Sequence, residues 1–213
     1  MQKVIPAILE KDWPKIEERL NLLKGISKIV HIDFINDSPL TFPDPVPFSK
    51  YRNDFIFEAH FIGNDPIQYL DPFYNAGFKR FIGQIEKMPD QAEFVAKGEL
   101  LGMVGLSIDG PTELKGLKVE LSNLDLLLIM TVKAGASGQL FEDSYLQKVK
   151  EIRKMLLENP GASSLIIEID GGINEETIIK AKESGADLFV SNSYIFNGNP
   201  KENLEKLSSL LGA

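Results

Sequence analysis

Short runs of β-branched and long aliphatic residues, each bounded by glycine, proline or charge, recur along this chain and alternate with amphipathic segments. Lys3 to Leu9 reads as a buried strand. Pro14 to Gly25 reads as an amphipathic helix, with proline near its first turn and glycine as its stop. A second apolar run carries Val30-His31-Ile32-Asp33, after which the pattern breaks. Residues 36–53 hold prolines at 39, 43, 45 and 47 and read as irregular chain, excluded from helix or central strand. Loops of that length in compact domains are usually functional or mobile. From residue 55 the alternation is regular. Strands are predicted at Phe55–Ile62, Arg80–Glu86, Met103–Asp109, Leu124–Val132, Leu165–Asp170 and Asp187–Ser191. Helices are predicted at Ile67–Asn75, Gln91–Leu100, a short one opening at Gly110, then Ser144–Glu158, Asn174–Ser184 and Lys201–Leu211.

Eight strands apolar on both faces, most followed by a helix, are what a helix-covered parallel sheet requires. The pattern predicts an α/β fold of the (β/α)8 TIM barrel type, at the small end of its size range. A doubly wound open sheet is the alternative, and the lack of a G-x-G-x-x-G after the first strand argues against it.

Composition narrows the picture. At 213 residues and 43% hydrophobic content the chain can bury one sizeable core, so one domain spanning residues 1–213 is expected. There is no cysteine, which excludes disulfides, thiolate metal sites and a cysteine nucleophile and fits a reducing cytoplasm. No window reaches the roughly 18 apolar residues of a membrane span, so a soluble, unprocessed, cytoplasmic protein is expected. The net charge of −8, without a basic cluster, opposes nucleic-acid binding. A small anionic substrate stays open, since backbone N–H groups can hold it locally.

The candidate chemistry lies at strand ends. His31 and Asp33, two residues apart, point to one face of their strand. His60, the second of only two histidines, ends another apolar run, and Asp170 ends a third. In a parallel barrel these ends meet on the face that carries active sites. Two imidazoles and two carboxylates suit one divalent cation, such as Zn, Fe(II), Mn or Co, with Mg also admitted. Taken singly, each histidine is more often a core or rim residue. Their shared address is what favours a site. Glu58 and Glu168 fall one layer deeper on the same faces, and read equally as acceptors that orient ligating imidazoles or as interior carboxylates paired with Lys or Arg from another strand. Gly171-Gly172, the Gly135-Ala136-Ser137-Gly138-Gln139 loop and Asn192-Ser193 offer backbone donors for a phosphate, although glycine pairs often merely cap helices.

The ordered set Pro6-Ala7-Ile8-Leu9, His31-Ile32-Asp33, Glu58-Ala59-His60, Leu128-Ile129-Met130-Thr131-Val132, Gly135-x-x-Gly138-Gln139, Glu168-x-Asp170-Gly171-Gly172 and Ser193-x-Ile195-Phe196 resembles the ribulose-phosphate 3-epimerase family over nearly the whole chain. The resemblance implies a ribulose-phosphate-binding barrel in which His31, Asp33, His60 and Asp170 hold one divalent cation. It also implies that Asp33 and Asp170 are the acid/base pair on opposite faces of C3 of a ketose phosphate, D-ribulose 5-phosphate by default. The cation would act as a Lewis acid that makes the C3 proton removable. Met130 would be the one counterpart of the family's methionine lid.

Four departures are evident. Ala7 replaces a serine. Ile35-Asn36-Asp37 replaces Met-Asp-Gly. Lys133-Ala134-Gly135-Ala136-Ser137 replaces Asn-Pro-Gly-Phe-Gly. Asn192 replaces a glycine. Cation and proton-transfer positions are kept while pocket positions drift, which implies altered substrate fit. The rivals are an epimerase for another pentulose or hexulose phosphate, a non-catalytic sugar-phosphate or metal-binding barrel, and an aldolase or decarboxylase. No Asp-x-Lys-x-x-Asp signature is present, and Lys133 is the candidate left for a Schiff base. A homo-oligomer is admitted as a further expectation.

Overall fold

The apolar runs form the eight strands of a barrel. A computed structural model describes residues 3–36, 44–134, 139–158, 161 and 164–212. The strands are Val4–Ile8 (β1), Ile29–Ile35 (β2), Ile56–Ile62 (β3), Arg80–Gln84 (β4), Met103–Ile108 (β5), Leu126–Met130 (β6), Ile166–Asp170 (β7) and Leu188–Ser191 (β8). Each pairs in parallel with the next, and β8 pairs with β1 to close the ring.

Alternation along each strand divides its side chains between two environments. One set, including Phe57, Phe81, Leu127, Ile167 and Phe189, enters the apolar shell beneath the helices. The other set fills the barrel. Ile5, Ala7, Ile82, Leu126, Leu128, Met130, Leu188 and Val190 form its apolar part. His31, Glu58, His60, Arg80, Gln84 and Glu168 form a buried polar part. Register sets their heights: His31 lies beside Glu58, Asp33 beside His60, and Met130 beside Asp170.

The outer layer comprises Trp13–Leu23 (α1), Leu70–Ala76 (α2), Gln91–Glu99 (α3), Leu146–Glu158 (α4), Thr177–Ser184 (α5), Ser193–Phe196 (α6) and Pro200–Leu210 (α7). In α1, Asp12 accepts from Lys15 N and Pro14 sits in the first turn, while Ile16, Leu20 and Leu23 are buried at helical spacing. Gly77 and Gly185 close α2 and α5 with φ of 106° and 104°, values that favour glycine.

Local departures from the sequence reading have physical causes. Within the stretch read as irregular, Val46–Tyr51 is a 3-10 helix whose proline falls in the first turn, where no N–H is needed. Its Phe48 packs against Phe57 and Phe78 with centroids 5.4 and 5.2 Å away, so tertiary burial supplies what propensity lacks. Residues 37–43 lie outside the described residues. The short helix expected at Gly110 is instead a pair of 3-10 turns, Leu114–Gly116 and Leu121–Asn123. Gln91 on α3 donates to Gly116 O and accepts from Lys118 N, which pins the chain between the two turns. The helix expected from Ile67 begins as a 3-10 turn, Pro66–Tyr69, before α2, and α6 is a single turn too short to leave a periodic signal.

Candidate active site

His31, Asp33, His60 and Asp170 each offer one ligand-type atom such that all four lie within 4.8 Å of one another. They come from β2, β3 and β7, which approach across the barrel because their C-terminal ends share one rim. Asp33 Oδ1 is 3.3 Å from His31 Nε2 and 3.1 Å from His60 Nδ1. The far nitrogens are also engaged: His31 Nδ1 lies 2.7 Å from Glu58 Oε1, and His60 Nε2 lies 2.8 Å from Gln84 Oε1. Each imidazole therefore faces acceptor oxygens on both sides. A neutral ring carries one N–H, so one contact per ring must be bridged by an extra proton or by a cation. This shortage of positive charge, on an all-N,O donor set of two imidazoles and two carboxylates, fits a divalent cation of the borderline class.

Below the cluster the deeper carboxylates each face both an imidazole and an arginine. Glu58 holds His31 and also lies 2.9 Å from Arg80 Nε. Glu168 is 3.7 Å from His31 Nδ1 and 3.6 Å from Arg80 Nη2. Both are fully buried, and Arg80 is 5% exposed.

These surroundings push the acids apart. For Asp33, burial raises the pKa, but the His31 and His60 contacts outweigh it and hold the group well below the carboxylate range. Asp170 is pushed up to about 6 by burial and then by the charge of Asp33. Burial and the charge of Glu58 push Glu168 up to about 8. Burial also opposes Glu58, but Arg80 and His31 outweigh it and hold that group at about 2. His31 is raised well above the usual imidazole value, since Asp33, Glu168 and Glu58 overcome its burial.

Above the cluster opens a cavity lined by Asp33, Asp170, Met130, Gly171, Gly172, Asn192 and Ser193, with apolar walls from Leu9, Ile62, Val132, Ile173 and Val190. Gln139 lines it as well. Gly171 and Gly172 turn with φ of 116° and 63°, and Thr131 Oγ1 accompanies the turn, donating toward Asp170 O (3.0 Å) and Gly171 O (2.5 Å). Of the other expected pocket residues, Ala7 and Ile35 are buried and Lys133 is exposed, and none of the three lines the cavity. Lys133 is therefore not placed for a Schiff base. Gly135, Ser137 and Gly138 lie outside the described residues. Asn36, one of the departures, clasps the loop after β3 through Asn64 N at 2.8 Å.

Sequence reasoning passed over Gln84, Arg80 and Arg19. Arg80 and Gln84 repeat the signal that exposed His31 and Asp33: polar residues an even number of positions apart on a buried strand. Arg19 leaves no such trace; from α1 its Nη1 donates to Asn192 Oδ1 at 2.9 Å, while Glu10 and the Phe196 ring hold the guanidinium.

Solved structures with this barrel include 3-keto-L-gulonate-6-phosphate decarboxylase from Vibrio cholerae, with a TM-score of 0.70 at 11% identity, covering 98% of this chain and 96% of that one. A 3-hexulose-6-phosphate synthase matches with a TM-score of 0.64 at 14% identity over 98% and 99%. At such identities the likeness shows the fold alone. In sequence, the ribulose-phosphate 3-epimerase of Bacillus subtilis is 29% identical over 208 residues, 95% of each chain. That of Schizosaccharomyces pombe is 27% identical over 209 residues, 94% of this chain and 89% of its own. The model of the ribulose-phosphate 3 epimerase family matches residues 3–196. The chain accordingly belongs to the ribulose-phosphate 3 epimerase family, isomerases that act on carbohydrates.

Proposed function

We propose that this protein inverts C3 of a ketose phosphate, D-ribulose 5-phosphate to D-xylulose 5-phosphate by default, with Asp33 and Asp170 as the proton-transfer pair. The observation that carries the reading is that both carboxylates line one cavity while their surroundings drive their proton affinities in opposite directions. The ionised carboxylate takes the C3 proton. The protonated one delivers a proton to the opposite face, and the roles exchange in the reverse reaction. Two groups are needed because a single base would return the proton to the face it left. His31, Asp33, His60 and Asp170 would hold one divalent cation. When bound, that cation supplies Lewis-acid stabilisation to the oxyanion that develops on deprotonation. Glu58 and Gln84 orient the two rings, and the apolar walls from Leu9, Ile62, Val132 and Val190 exclude water from the reacting carbon. Gly171, Gly172 and Ser193, together with Gly135, Ser137 and Gly138, would offer N–H groups to the phosphate.

Solvent deuterium entering C3 of ribulose 5-phosphate tests the reading. Wild type supplemented with zinc, manganese or iron(II) is expected to exchange, and Asp33→Asn and Asp170→Asn to lose exchange. No exchange in wild type across a panel of pentulose and hexulose phosphates would refute it. One observation favours a substrate other than the default: Asn192 puts a side chain, held by Arg19, into the cavity wall. The same panel separates the two.

A further inference from the structure

On the side of the His60 ring away from Asp33, Nε2 lies 2.8 Å from Gln84 Oε1. The Gln84 side chain is itself oriented, because its Nε2 donates to Glu86 Oε2 at 2.6 Å. A carboxylate only accepts, so Glu86 decides which end of the amide faces the ring. The amide oxygen also only accepts, so its contact with the ring calls for a proton on Nε2, as the Asp33 contact calls for one on Nδ1, and a cation held at Nδ1 takes the place of the second proton. A neutral His60 then has its lone pair on Nδ1, the nitrogen that points into the cluster 3.1 Å from Asp33. Glu86 is fixed in turn, since its Oε1 accepts from Asp109 N at 2.8 Å. The Asp109 side chain accepts from Ala134 N, at the foot of the loop that follows β6.

We propose that Gln84 and Glu86 are positioning residues that lock His60 in its Nε2–H tautomer and so present Nδ1 to a divalent cation. This rests on the cation site proposed above. The contrast with His31 explains why a relay is used. His31 donates its Nδ1–H to Glu58, a buried carboxylate already paired with Arg80. A second buried carboxylate behind His60 would lack such a partner among the described contacts. The amide instead carries the influence of a negative charge that stays exposed, at Glu86.

The protein has two histidines, so ring-nitrogen NMR on histidine-labelled protein gives four assignable signals. Zinc affinity, measured by competition with a chelator, is the second readout. In wild type, His60 Nε2 is expected to be protonated both in cation-free protein, at a pH where the ring is neutral, and with zinc bound. Gln84→Leu should weaken zinc binding by on the order of ten- to a hundred-fold. Glu86→Gln, a change at an exposed position that spares the fold, should mix the tautomers and weaken zinc binding less. The swap Gln84→Glu with Glu86→Gln keeps an acceptor for His60 and puts a donating amide beside the new carboxylate, and should restore a single tautomer and part of the affinity, at a cost in stability from the buried charge. A purely structural role for Gln84 does not predict that rescue. An unprotonated Nε2 in wild type, or zinc bound by Gln84→Leu as by wild type, would overturn the proposal. A wild type that keeps the Nε2–H tautomer yet takes up no zinc overturns the cation site and leaves the tautomer assignment standing.

Discussion

Arg80→Leu isolates the buried charges beneath the site. Arg80 lies 2.9 Å from Glu58 and 3.6 Å from Glu168, and both carboxylates are fully buried. Leucine replaces most of the aliphatic stem, so the loss falls chiefly on the charge. Removing one partner from a buried ion pair costs about 3–5 kcal/mol, because the remaining charge stays out of water without compensation. Urea unfolding followed through Trp13, the single tryptophan, reads the change. At a urea dependence of about 2 kcal/mol per M, the midpoint should fall by roughly 1.5–2.5 M with an unaltered slope. Adding Glu58→Gln to Arg80→Leu should recover part of the loss, since the orphaned charge is then gone. The deficit of Arg80→Leu should also shrink on moving from about pH 8 to about pH 5, because a carboxylate without its cation regains its proton more readily. A midpoint shift under about 0.5 M, or a deficit indifferent to pH, would show that the network is not held by charge.

Two further outcomes follow from the same geometry. In cation-free protein, Glu168 near 8, Asp170 near 6 and a raised His31 bind protons more tightly folded than unfolded, where their values are 4.5, 3.8 and 6.5. Their stabilisation is complete below the unfolded values and lost as pH rises through the folded ones. Asp33 and Glu58 have the opposite sign: their stabilisation is fully present above their unfolded values and is lost only as the solution becomes more acidic than this window. The melting temperature in chelator should therefore fall between about pH 5 and pH 8, and a rise across that window would contradict the assignment. Gly171→Ala should cost about 1–3 kcal/mol and weaken zinc binding. Its φ is 116°, and a Cβ would stand 2.7 Å from Val132 and 2.9 Å from Thr131, next to Asp170. Gly25→Ala, at φ 78° with nothing within 4 Å, should cost only about 1 kcal/mol and leave zinc affinity unchanged.

The sequence by itself determined the eight-fold alternation and the faces on which the chemistry stands. Strand parity puts His31 with Asp33, Glu58 with His60 and Glu168 with Asp170, and strand ends in a parallel barrel share a rim; both facts are local periodicities that a linear text preserves. Only the tertiary structure decided what meets across the barrel. Periodicity gives a side chain its face but not its height relative to the other strands. The register thus had to be built before Arg80 could be seen between Glu58 and Glu168, or Gln84 behind His60. The same limit explains Ala7 and Ile35, which share a face with the site yet do not line the cavity, and Arg19, whose contact with Asn192 joins residues 173 positions apart. It also explains the turn at Val46–Tyr51, whose prolines forbade helix in the text and whose aromatic side chains found a core in three dimensions.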